Sequence, residues 1–477
     1  MTVQFPSTSP VQPQSTTTPP SGAAKPRLTF LGCGYLGSTY AACFAELGYE
    51  VLGMDVDEAK VAKLAAGETP IHEPGLDELL KRNLATGRLR FTTDYAEAAD
   101  FGDVHFICVG TPQRADGMAA DLSYVESAVT GIAPHLTRQA LIVGKSTVPV
   151  GTASWVEELV HKNAPDNVEV HVAWSPEFLR EGFACEDVLR PDRVVFGVKS
   201  DWSRAMLYTA HKALFDLAAT EDREVPVVVT DFATAELVKV AANAFLATKI
   251  SFINAMAEVC EASGADVTLL AKSIGYDARI GNKFLRAGIG FGGGCLPKDI
   301  RAFQARAQEI GAGEALRFLH EVDLVNQRRR NRVLQMAAEL LGRPIGPAGP
   351  DFTGVRVAVL GAAFKPNSDD VRDSPSLAVA KALSKTNADV VIYDPEGMEN
   401  ARRELDSVSY AKTMLEAVRD SDLTCVLTEW EEFRRADPSV LGEAARARRV
   451  FDGRNCLDHV SWIGAGWDYR GMGRPVI

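Results

Sequence analysis

The sequence predicts an α/β protein with two Rossmann-like, doubly wound lobes joined by a long central helix. Three observations lead to this fold class. Short apolar strands alternate with helical stretches over residues 27–229 and again over residues 355–477, as in sheets covered by helices. Between them, a helical pattern without a breaker runs from Thr230 to Gly264. At 477 residues, the chain is also too long for a single ordinary core.

The first lobe is expected to begin at Arg27. Residues 1–26 are mostly Pro, Ser, Thr and Gln and have little to bury, so we expect a disordered tail there. A strand over 28–31 leads into a glycine-rich turn and an Ala-rich helix, and a second strand over 50–54 ends at Asp55. Further apolar strands are predicted over 104–109, 141–145 and 170–174, with helices between them, which indicates a parallel sheet.

The central helix can be capped by Thr230 or Asp231. Its length of about 33 residues corresponds to roughly 50 Å at 1.5 Å per residue. Such a length is unusual inside a globular core, so we expect this helix to join the lobes and to provide a homodimer surface. With further helices over 296–341, it defines a central helical domain at 230–341.

The second lobe follows a segment rich in Gly and Pro at 342–354, which is typical of a linker. Beyond it, strands are predicted over 356–360, 389–393 and 423–427, with a helix over 375–383. The layout resembles that of the first lobe, although no repeat is visible at the level of residues. The division into domains is thus 27–229, 230–341 and 355–477.

Composition excludes several classes of partner. The net charge of −12 argues against a general nucleic-acid surface. The eight cysteines form no CxxC pair, which suits a reducing cytoplasm. No apolar stretch is expected to approach the roughly 18 residues that span a bilayer, and no secretory signal is recognised. We therefore expect a cytoplasmic protein without a metal, nucleic-acid or membrane partner.

A dinucleotide fingerprint follows the first strand. Gly32-x-Gly34-x-x-Gly37 lies between a predicted strand and a helix, where glycines allow a pyrophosphate to approach the helix N-terminus. Asp55 ends the next strand and would accept hydrogen bonds from the adenosine ribose. This favours NAD over NADP, because a carboxylate repels a 2′-phosphate, although Lys60 lies nearby.

Two later strand ends carry small polar residues. Thr111 follows one apolar run, and Ser146 and Thr147 follow another. Ligands of open α/β sheets lie beyond the carboxyl ends of the strands, so these loops are expected to flank the nicotinamide half of the cofactor. Each loop alone is equally consistent with an ordinary turn.

Three polar residues stand among apolar neighbours. Lys239 and Asn243 are four residues apart and share a face of the central helix, where they would stabilise an oxyanion. The alternative is a Lys that extends to solvent beside a surface Asn. Glu177 ends a strand and is a candidate general base, or else a plain surface carboxylate.

Cys295 lies in the run Gly-Phe-Gly-Gly-Gly-Cys-Leu-Pro-Lys-Asp at 290–299. A thiol among glycines is a nucleophile that a substrate can approach closely, and it can capture a carbonyl group covalently. With a hydride acceptor nearby, that capture permits oxidation beyond the aldehyde. For a lone Cys, the alternative is a buried, inert thiol in a turn.

Taken together, the motifs resemble those of the UDP-glucose/GDP-mannose dehydrogenase family. The resemblance runs from about Leu28 to Leu457 and includes the fingerprint and the segment around Cys295. Its other motifs are Lys-Ser-Thr-Val-Pro-Val-Gly-Thr (145–152), Pro-Glu-Phe-Leu-Arg-Glu-Gly (176–182), Pro-Asp-Arg (191–193), Ala-Ala-Asn-Ala-Phe-Leu-Ala-Thr-Lys-Ile-Ser-Phe-Ile-Asn (241–254), Phe-Lys-Pro-x-x-Asp-Asp-x-Arg (364–372) and Asp-Gly-Arg (452–454).

The resemblance implies oxidation of a nucleotide sugar at C6 in two steps, with two NAD used in turn. Cys295 would hold the aldehyde as a thiohemiacetal and then as a thioester, while Lys239 and Asn243 stabilise oxyanions. Asp299 would assist proton transfer through water. Glu177, with Thr147, would act at the hydrolysis step, and Glu177 is the better candidate for the base.

The resemblance also implies two sets of binding residues. For NAD they are Gly32, Gly34, Tyr35, Leu36, Gly37, Asp55, Lys60, Thr111, Ser146, Thr147, Glu181 and Arg372. For the nucleotide sugar they are Glu177, Phe178, Leu179, Lys239, Asn243, Arg279, Arg286, Phe291, Gly292, Lys365 and Arg454. Arg372 lies beyond the linker, so the second lobe is expected to close over the cofactor site.

Within the family, the glycines before Cys295 and the segment 279–285 favour UDP-glucose as the substrate. GDP-mannose and UDP-N-acetyl-hexosamines remain alternatives. A two-electron dehydrogenase of the 6-phosphogluconate or hydroxyacyl type needs no thiol, and a non-catalytic binding module needs no Lys239 or Asp299. Gly294 stands where the family commonly has Ser and Leu296 where it commonly has Phe, and both bear on substrate preference.

Overall fold

The computed structural model describes residues 25–69, 71–347 and 349–475. The predicted tail at 1–26 lies outside the described residues except for Lys25 and Pro26. Lys25 Nζ donates a hydrogen bond of 2.8 Å to the carbonyl of Leu47 and so attaches the start of the first lobe to its first helix.

The amino-terminal lobe contains a sheet of eight strands within the described residues. They are β1 Leu28–Leu31, β2 Val51–Met54, β3 Leu89–Thr92, β4 Val104–Ile107, β5 Ala140–Gly144, β6 Val170–Trp174, β7 Val194–Gly197 and β8 Val227–Thr230. Their spatial order is β3-β2-β1-β4-β5-β6-β7-β8, so the chain winds outward in both directions from β1 and β4. The predicted doubly wound lobe is confirmed.

One pair of strands departs from the predicted parallel sheet. β6 and β7 pair antiparallel at Trp174 and Gly197, whereas the other pairs in this sheet are parallel. Antiparallel neighbours are joined at one edge of a sheet and need no crossover. The connection between β6 and β7 therefore starts and ends at the carboxyl edge of β6, which places residues 177–182 where the ligands of such sheets bind.

Helices cover both faces of this sheet. They are α1 Tyr35–Glu46, α2 Glu58–Ala65, α3 Leu76–Ala85, α4 Tyr95–Phe101, α5 Ser123–Ile132, α6 Thr152–Asn163, α7 Ala184–Leu189 and α8 Asp201–Thr220, with a 3₁₀ turn at Ala133–His135. Two apolar cores result: α1, α3 and α8 pack on one face, and α4, α5 and α6 on the other. Every residue of β1, β2 and β4 is buried, as expected for central strands covered on both sides.

The central region is helical. It consists of α9 Phe232–Ser263, α10 Val267–Gly275, α11 Leu296–Glu309 and α12 Arg317–Leu341, with a 3₁₀ turn at Gly313–Leu316. Of the two predicted caps for α9, Asp231 is the residue used, since its carboxylate accepts a hydrogen bond of 2.8 Å from Thr234 N. Gly264 ends the helix in the left-handed conformation. The predicted long helix is confirmed at 32 residues.

The expectation that no apolar stretch reaches membrane-spanning length is corrected by α9. By length and composition this helix could cross a bilayer, and 44% of its most apolar window is buried. Its apolar residues serve a core instead, because α9 packs against α11 and α12 and presents apolar side chains on more than one side. Its buried polar residues include Glu236, Lys239 and Asn243.

The carboxyl-terminal lobe is a second doubly wound unit. A small antiparallel pair in the linker, β9 Ile345–Gly346 and β10 Gly349–Pro350, precedes it. Its sheet has the order β13-β12-β11-β14-β15-β16, with all of these pairs parallel. The strands are β11 Arg356–Leu360, β12 Asp389–Tyr393, β13 Ser409–Tyr410, β14 Leu423–Val426, β15 Arg449–Asp452 and β16 Asp468–Gly471.

Six helices complete this lobe in the described residues: α13 Pro375–Ser384, α14 Met398–Glu404, α15 Met414–Val418, α16 Glu431–Arg434, α17 Pro438–Ala444 and α18 His459–Gly464. They enclose two cores on the two faces of the sheet. The lobe contacts the rest of the chain at the carboxyl ends of its strands. Arg454, after β15, donates a hydrogen bond of 2.8 Å to Gly290 O, which lies just before Cys295.

Candidate active site

Cys295 caps the N-terminus of α11 and follows three glycines. The residue is exposed, but protein atoms surround its thiol closely enough to desolvate it. Desolvation, followed by the carboxylates of Asp299 and Glu181, raises the pKa of Cys295 to about 12 against the opposing effect of Lys239 and Lys298. The group is therefore a thiol at neutral pH in the free protein, and attack on a carbonyl must be accompanied by loss of its proton.

Residues 292–296 separate two cavities. The larger, of about 670 Å³, includes Gly293 and Gly294 in its wall. The smaller, of about 250 Å³, includes Gly292 and Leu296. The peptide that carries the nucleophile thus forms part of the wall of both cavities.

Four polar side chains form a buried cluster near this segment. Lys239 Nζ lies 3.2 Å from Glu177 Oε1, which joins α9 to the loop after β6. Asn243 Nδ2 donates a hydrogen bond of 2.7 Å to Asp299 Oδ2, which joins α9 to α11. The loop is also held from within, since Leu179 N donates to Glu177 Oε2 at 2.5 Å. The structure therefore brings together Lys239, Asn243, Asp299 and Glu177, as the motifs had grouped them.

Lys239 is held in its charged form. Desolvation acts to lower its pKa, but the carboxylates of Glu177 and Asp299 act in the opposite direction, and the pKa is raised. Its ammonium also lies 5.6 Å from the centre of the Phe178 ring. A buried cation of this kind can stabilise negative charge on a substrate oxygen.

The larger cavity fits NAD. Gly32 has a φ of +89°, and a side chain on Gly37 would meet Gly32 O at 1.9 Å, so the turn requires these glycines. Nothing lies within 4 Å of the position of a Cβ on Gly34, which leaves the turn open to a pyrophosphate. Asp55 accepts hydrogen bonds from Cys33 N at 2.8 Å and from Lys60 Nζ at 2.9 Å, and its carboxylate lines the cavity.

The predicted NAD residues fall into two groups. Those that line the larger cavity are Gly32, Gly34, Asp55, Lys60, Thr111 and Arg372. The others support its walls. Tyr35 binds Glu73 through its hydroxyl, Leu36 packs on the core, and Ser146 Oγ donates to Val109 O at 2.7 Å. Thr147 accepts a hydrogen bond of 2.7 Å from Thr111 Oγ1 through its carbonyl.

Glu181 and Arg372 connect the two lobes. Arg372 Nη2 lies 3.4 Å from Glu181 Oε1 and 2.6 Å from Asp370 Oδ2. Burial, together with the neighbouring Asp370, raises the pKa of Glu181 to about 7, while Lys365 and Arg372 oppose the shift. Glu181 therefore changes charge near neutral pH at the contact between the lobes.

The smaller cavity contains five of the predicted sugar residues: Arg286, Phe291, Gly292, Lys365 and Arg454. Arg454 donates from all three guanidinium nitrogens to backbone carbonyls, those of Leu427, Gly290 and Phe364. It therefore joins three segments of the cavity wall. Arg279 does not line this cavity; it is 88% exposed in its side chain and pairs with Asp277.

Sequence reasoning missed several residues at these cavities. Glu429 follows β14 and lines the smaller cavity, with Oε2 lying 3.5 Å from Arg454 Nε and Oε1 lying 3.9 Å from Arg286 Nη1. Lys298 lines the larger cavity and pairs with Asp299 at 2.5 Å. Both could have been predicted from their positions in the sequence. Glu429 follows a strand end, where ligands of such sheets bind, and Lys298 adjoins Asp299 in the Cys295 motif.

The sequence as a whole matches one family of proteins. Three profiles of the UDP-glucose/GDP-mannose dehydrogenase family match in order: the NAD binding domain at residues 26–215, the central domain at 233–328 and the UDP binding domain at 358–459. The chain belongs to this family. NAD is accordingly its cofactor, and the predicted resemblance is confirmed.

Relatives within the family cover nearly the whole chain. A UDP-glucose 6-dehydrogenase of Rhizobium meliloti is 43% identical over 94% of this chain and 100% of its own length. One of Haloferax volcanii is 41% identical over 90% and 97%. A solved structure of a UDP-glucose dehydrogenase from Pyrobaculum islandicum has a TM-score of 0.85 at 37% identity and covers 95% of this chain and 99% of that one.

Proposed function

We propose that this protein oxidises UDP-glucose at C6 to UDP-glucuronate, with two NAD consumed per sugar and a covalent intermediate on Cys295. The observation that carries the proposal is the position of residues 292–296 between a cavity that fits NAD and a second cavity lined by three basic side chains, Arg286, Lys365 and Arg454. A nucleotide sugar in the second cavity would bring its reacting carbon to the segment that carries the thiol, and the same segment borders the cofactor cavity.

The chemistry that NAD supplies when bound is acceptance of a hydride. In the proposed reaction, the C6 alcohol is first oxidised to an aldehyde by loss of a hydride and of its hydroxyl proton, which passes to water. Cys295 Sγ then loses its proton and bonds to the aldehyde carbon, and the carbonyl π bond breaks so that the oxygen takes up the negative charge of the thiohemiacetal. Lys239 and Asn243 are the donors proposed to stabilise that oxygen, since Lys239 is charged and one amide hydrogen of Asn243 remains beyond its bond to Asp299. Asp299 lies one turn along α11 from the thiol and is the proposed acceptor of its proton through water.

Oxidation of the thiohemiacetal leaves a thioester, which water must cleave. In the proposed step, Glu177 takes a proton from the water as its oxygen bonds to C6. The carbon–sulfur bond then breaks, and Cys295 recovers a proton. The contact of 3.2 Å between Lys239 and Glu177 supports this role. Lys239 is proposed to bind the thioester oxygen, so its contact with Glu177 would hold the carboxylate close to the carbon that water attacks.

The preference for UDP-glucose is supported by the relatives named above. Structures of related enzymes with other sugars are more distant: the UDP-D-ManNAc dehydrogenase of Pyrococcus horikoshii is 26% identical, with a TM-score of 0.79. The deciding experiment supplies purified protein and NAD with UDP-glucose, GDP-mannose, UDP-galactose and UDP-N-acetyl sugars in turn. We expect two NADH per UDP-glucose consumed; one NADH with accumulation of aldehyde would overturn the four-electron reaction.

The substitution Cys295→Ala is expected to abolish formation of the acid while leaving the dissociation constant for NAD within about twofold of that of the wild type, because the thiol forms the covalent bond but does not hold the cofactor. NADH release and cofactor binding measure the two effects. Cys260→Ala is a suitable control because that cysteine packs in an apolar core on α9 and is in the wall of neither cavity. Full activity of Cys295→Ala would make the thiol structural.

We also propose that the chain acts as a homodimer through α9. Phe245, Phe252 and Val259 are spaced by seven residues on this helix and are 66%, 50% and 57% exposed. An exposed apolar stripe of this kind is typical of a helix that packs on a partner.

The proposed domains remain 27–229, 230–341 and 355–477. The eight free cysteines support the proposal of a cytoplasmic location.

A further inference from the structure

A buried carboxylate outside both cavities connects the cofactor turn to the loop of residues 177–184. Glu73 precedes α3 and is 6% exposed. Its Oε2 accepts a hydrogen bond of 2.7 Å from Gly182 N, and its Oε1 accepts one of 2.7 Å from Ala184 N. Tyr35 donates its hydroxyl to the same carboxylate. One side chain thereby satisfies three donors from two separate segments.

Two of these three donors lie beside residues of the proposed cofactor site. Tyr35 lies inside the fingerprint, next to Gly34, which lines the cofactor cavity. Gly182 directly follows Glu181, which meets Arg372 of the second lobe. Its own N–H also approaches Tyr35 Oη at 3.0 Å. The contacts therefore run without a gap from the cofactor turn to the residue that joins the lobes.

The backbone of Gly182 lies directly against the second lobe. Its φ of +77° is a left-handed conformation, and a Cβ on it would meet Asn367 O of the second lobe at 2.8 Å. The neighbour of Glu73, His72, also contacts the second lobe, since its N–H donates to Asp369 Oδ1 at 3.4 Å. The end of the 177–184 loop is thus enclosed between Glu73 on one side and the second lobe on the other.

We propose that Glu73 is a positioning residue: it fixes the 177–184 loop, and with it Glu177 and Glu181, relative to the cofactor turn. Its catalytic consequence rests on the proposed function, because Glu177 acts there in hydrolysis of the thioester. Burial of two amide N–H groups requires an acceptor at their positions, and a carboxylate supplies two. Glu73 itself touches neither cavity, so its effect passes through the loop.

Glu73→Gln tests the inference, since glutamine keeps the size of the side chain but removes the charge and one acceptor. Hydrogen exchange, measured by mass spectrometry on the full chain without ligands, is expected to accelerate about tenfold in peptides covering 177–184. Glu78→Gln, an exposed carboxylate on α3, is the matched control and is expected to leave this exchange unchanged. Unchanged exchange in Glu73→Gln would overturn the proposal.

Kinetics distinguish positioning from general loss of structure. We expect the kcat of Glu73→Gln to fall about tenfold while the KM for NAD stays within about twofold, and we expect Glu73→Asp to restore part of the loss. An equal fall in cofactor affinity, with faster exchange throughout the first lobe, would reduce Glu73 to a structural residue. If wild-type protein releases fewer than two NADH per UDP-glucose, the proposed function fails. Hydrogen exchange in Glu73→Gln would still show whether Glu73 fixes the 177–184 loop.

A second variant keeps the test open if Glu73→Gln does not fold. Tyr35→Phe removes only the hydroxyl, and we expect a smaller acceleration of exchange in the same peptides. If Glu73→Gln does fold, the effects of the two single substitutions should not add in the double variant, because both substitutions break one network. Additive effects would mean that Tyr35 and Glu73 act separately and would overturn the connection to the cofactor turn.

Discussion

Neighbouring glycines around the nucleophile have different roles. A Cβ on Gly292 would meet the backbone oxygen of Asp373 at 2.2 Å, so this glycine permits the second lobe to approach. The atoms nearest to a Cβ on Gly294 would be those of the Arg372 guanidinium, at 2.3 Å from Cζ. Gly294 is one of the two positions where the sequence departs from the family pattern beside Cys295. The departure gives room to an arginine that lines the cofactor cavity.

These contacts predict different results for two alanine substitutions. Gly292→Ala should lower the Tm by several degrees, since a rigid backbone contact must move and overpacking costs roughly 1–3 kcal/mol. Gly294→Ala should keep the wild-type Tm, because the end of an exposed arginine can rotate away, and should raise the KM for NAD severalfold. Thermal unfolding and initial rates check both. Equal loss of Tm in the two variants would contradict this reading.

At the scale of residues, the sequence allowed prediction of side chains with a recognisable chemistry or motif. Cys295, Lys239, Asn243 and Asp299 were identified in this way, and the structure pairs Lys239 with Glu177 and Asn243 with Asp299. Glu73 was not identified, because an isolated carboxylate before a helix has no signal until the fold brings the amides of Gly182 and Ala184 to it. Its role depends on contacts more than 100 residues apart in the sequence.

At the scale of elements, the central strands of both sheets and the capped central helix were predictable, and several other strands were not. The predicted strand at 170–174 and the helix ending at Gly264 agree with the structure. No strand was predicted at β3, β7, β8, β13, β15 or β16, or at the small β9–β10 pair. They are two to four residues long, and β3 and β13 contain polar or exposed positions, so their pairing depends on the neighbouring strand rather than on their own pattern.

One strand end carries an unusual buried cation. Lys145 follows β5 directly, is 2% exposed, and lies 4.6 Å from the centre of the Tyr40 ring. Its nearest polar partner is Ser175 Oγ at 3.4 Å, after β6. Desolvation lowers the pKa of Lys145 to about 8, with Cys108 and Glu177 acting in the opposite direction. Charge on this lysine therefore opposes folding.

The sign of that effect sets a pH dependence. Below pH 8, Lys145 is charged in both the folded and the unfolded chain, and the entire unfavourable contribution of burying its charge is present. Between pH 8 and about 10.4, the folded chain binds fewer protons than the unfolded chain, so stability rises with pH. Lys145→Met should thus raise the Tm at pH 7, with a gain in free energy of unfolding on the order of 1–3 kcal/mol. The difference in Tm between Lys145→Met and the wild type should be smaller at pH 9.5 than at pH 7. An equal difference at the two pH values would contradict the prediction.

At the scale of the whole molecule, the two lobes are connected by side chains from each. Arg372 with Glu181, and Arg454 with Gly290, join segments that lie far apart in the sequence. The expectation that the second lobe reaches the cofactor site came from a single arginine beyond the linker. How the second lobe packs against the segment around Cys295 was not predictable from the sequence. That packing depends on close backbone approaches, such as the approach of Asp373 to Gly292.

The proposed dimer gives a prediction at this scale. Phe252→Asp places a charge in the middle of the exposed stripe on α9, where burial against a partner would be unfavourable. We expect wild-type protein to elute as a dimer and this variant as a monomer in size-exclusion chromatography with light scattering. Val460→Asp, on α18 and 66% exposed, is the control. A monomeric wild-type protein would contradict the interface.

The separation of the two cavities by residues 292–296 affects how a half-oxidised sugar is retained. Each UDP-glucose requires two hydride acceptors in the proposed reaction, so spent cofactor must be exchanged for fresh cofactor midway through a turnover. A sugar bonded to Cys295 stays on the protein while the cofactor exchanges in the larger cavity. The covalent bond then holds the half-oxidised sugar, so retention of the reactive aldehyde does not require the second oxidation to be fast.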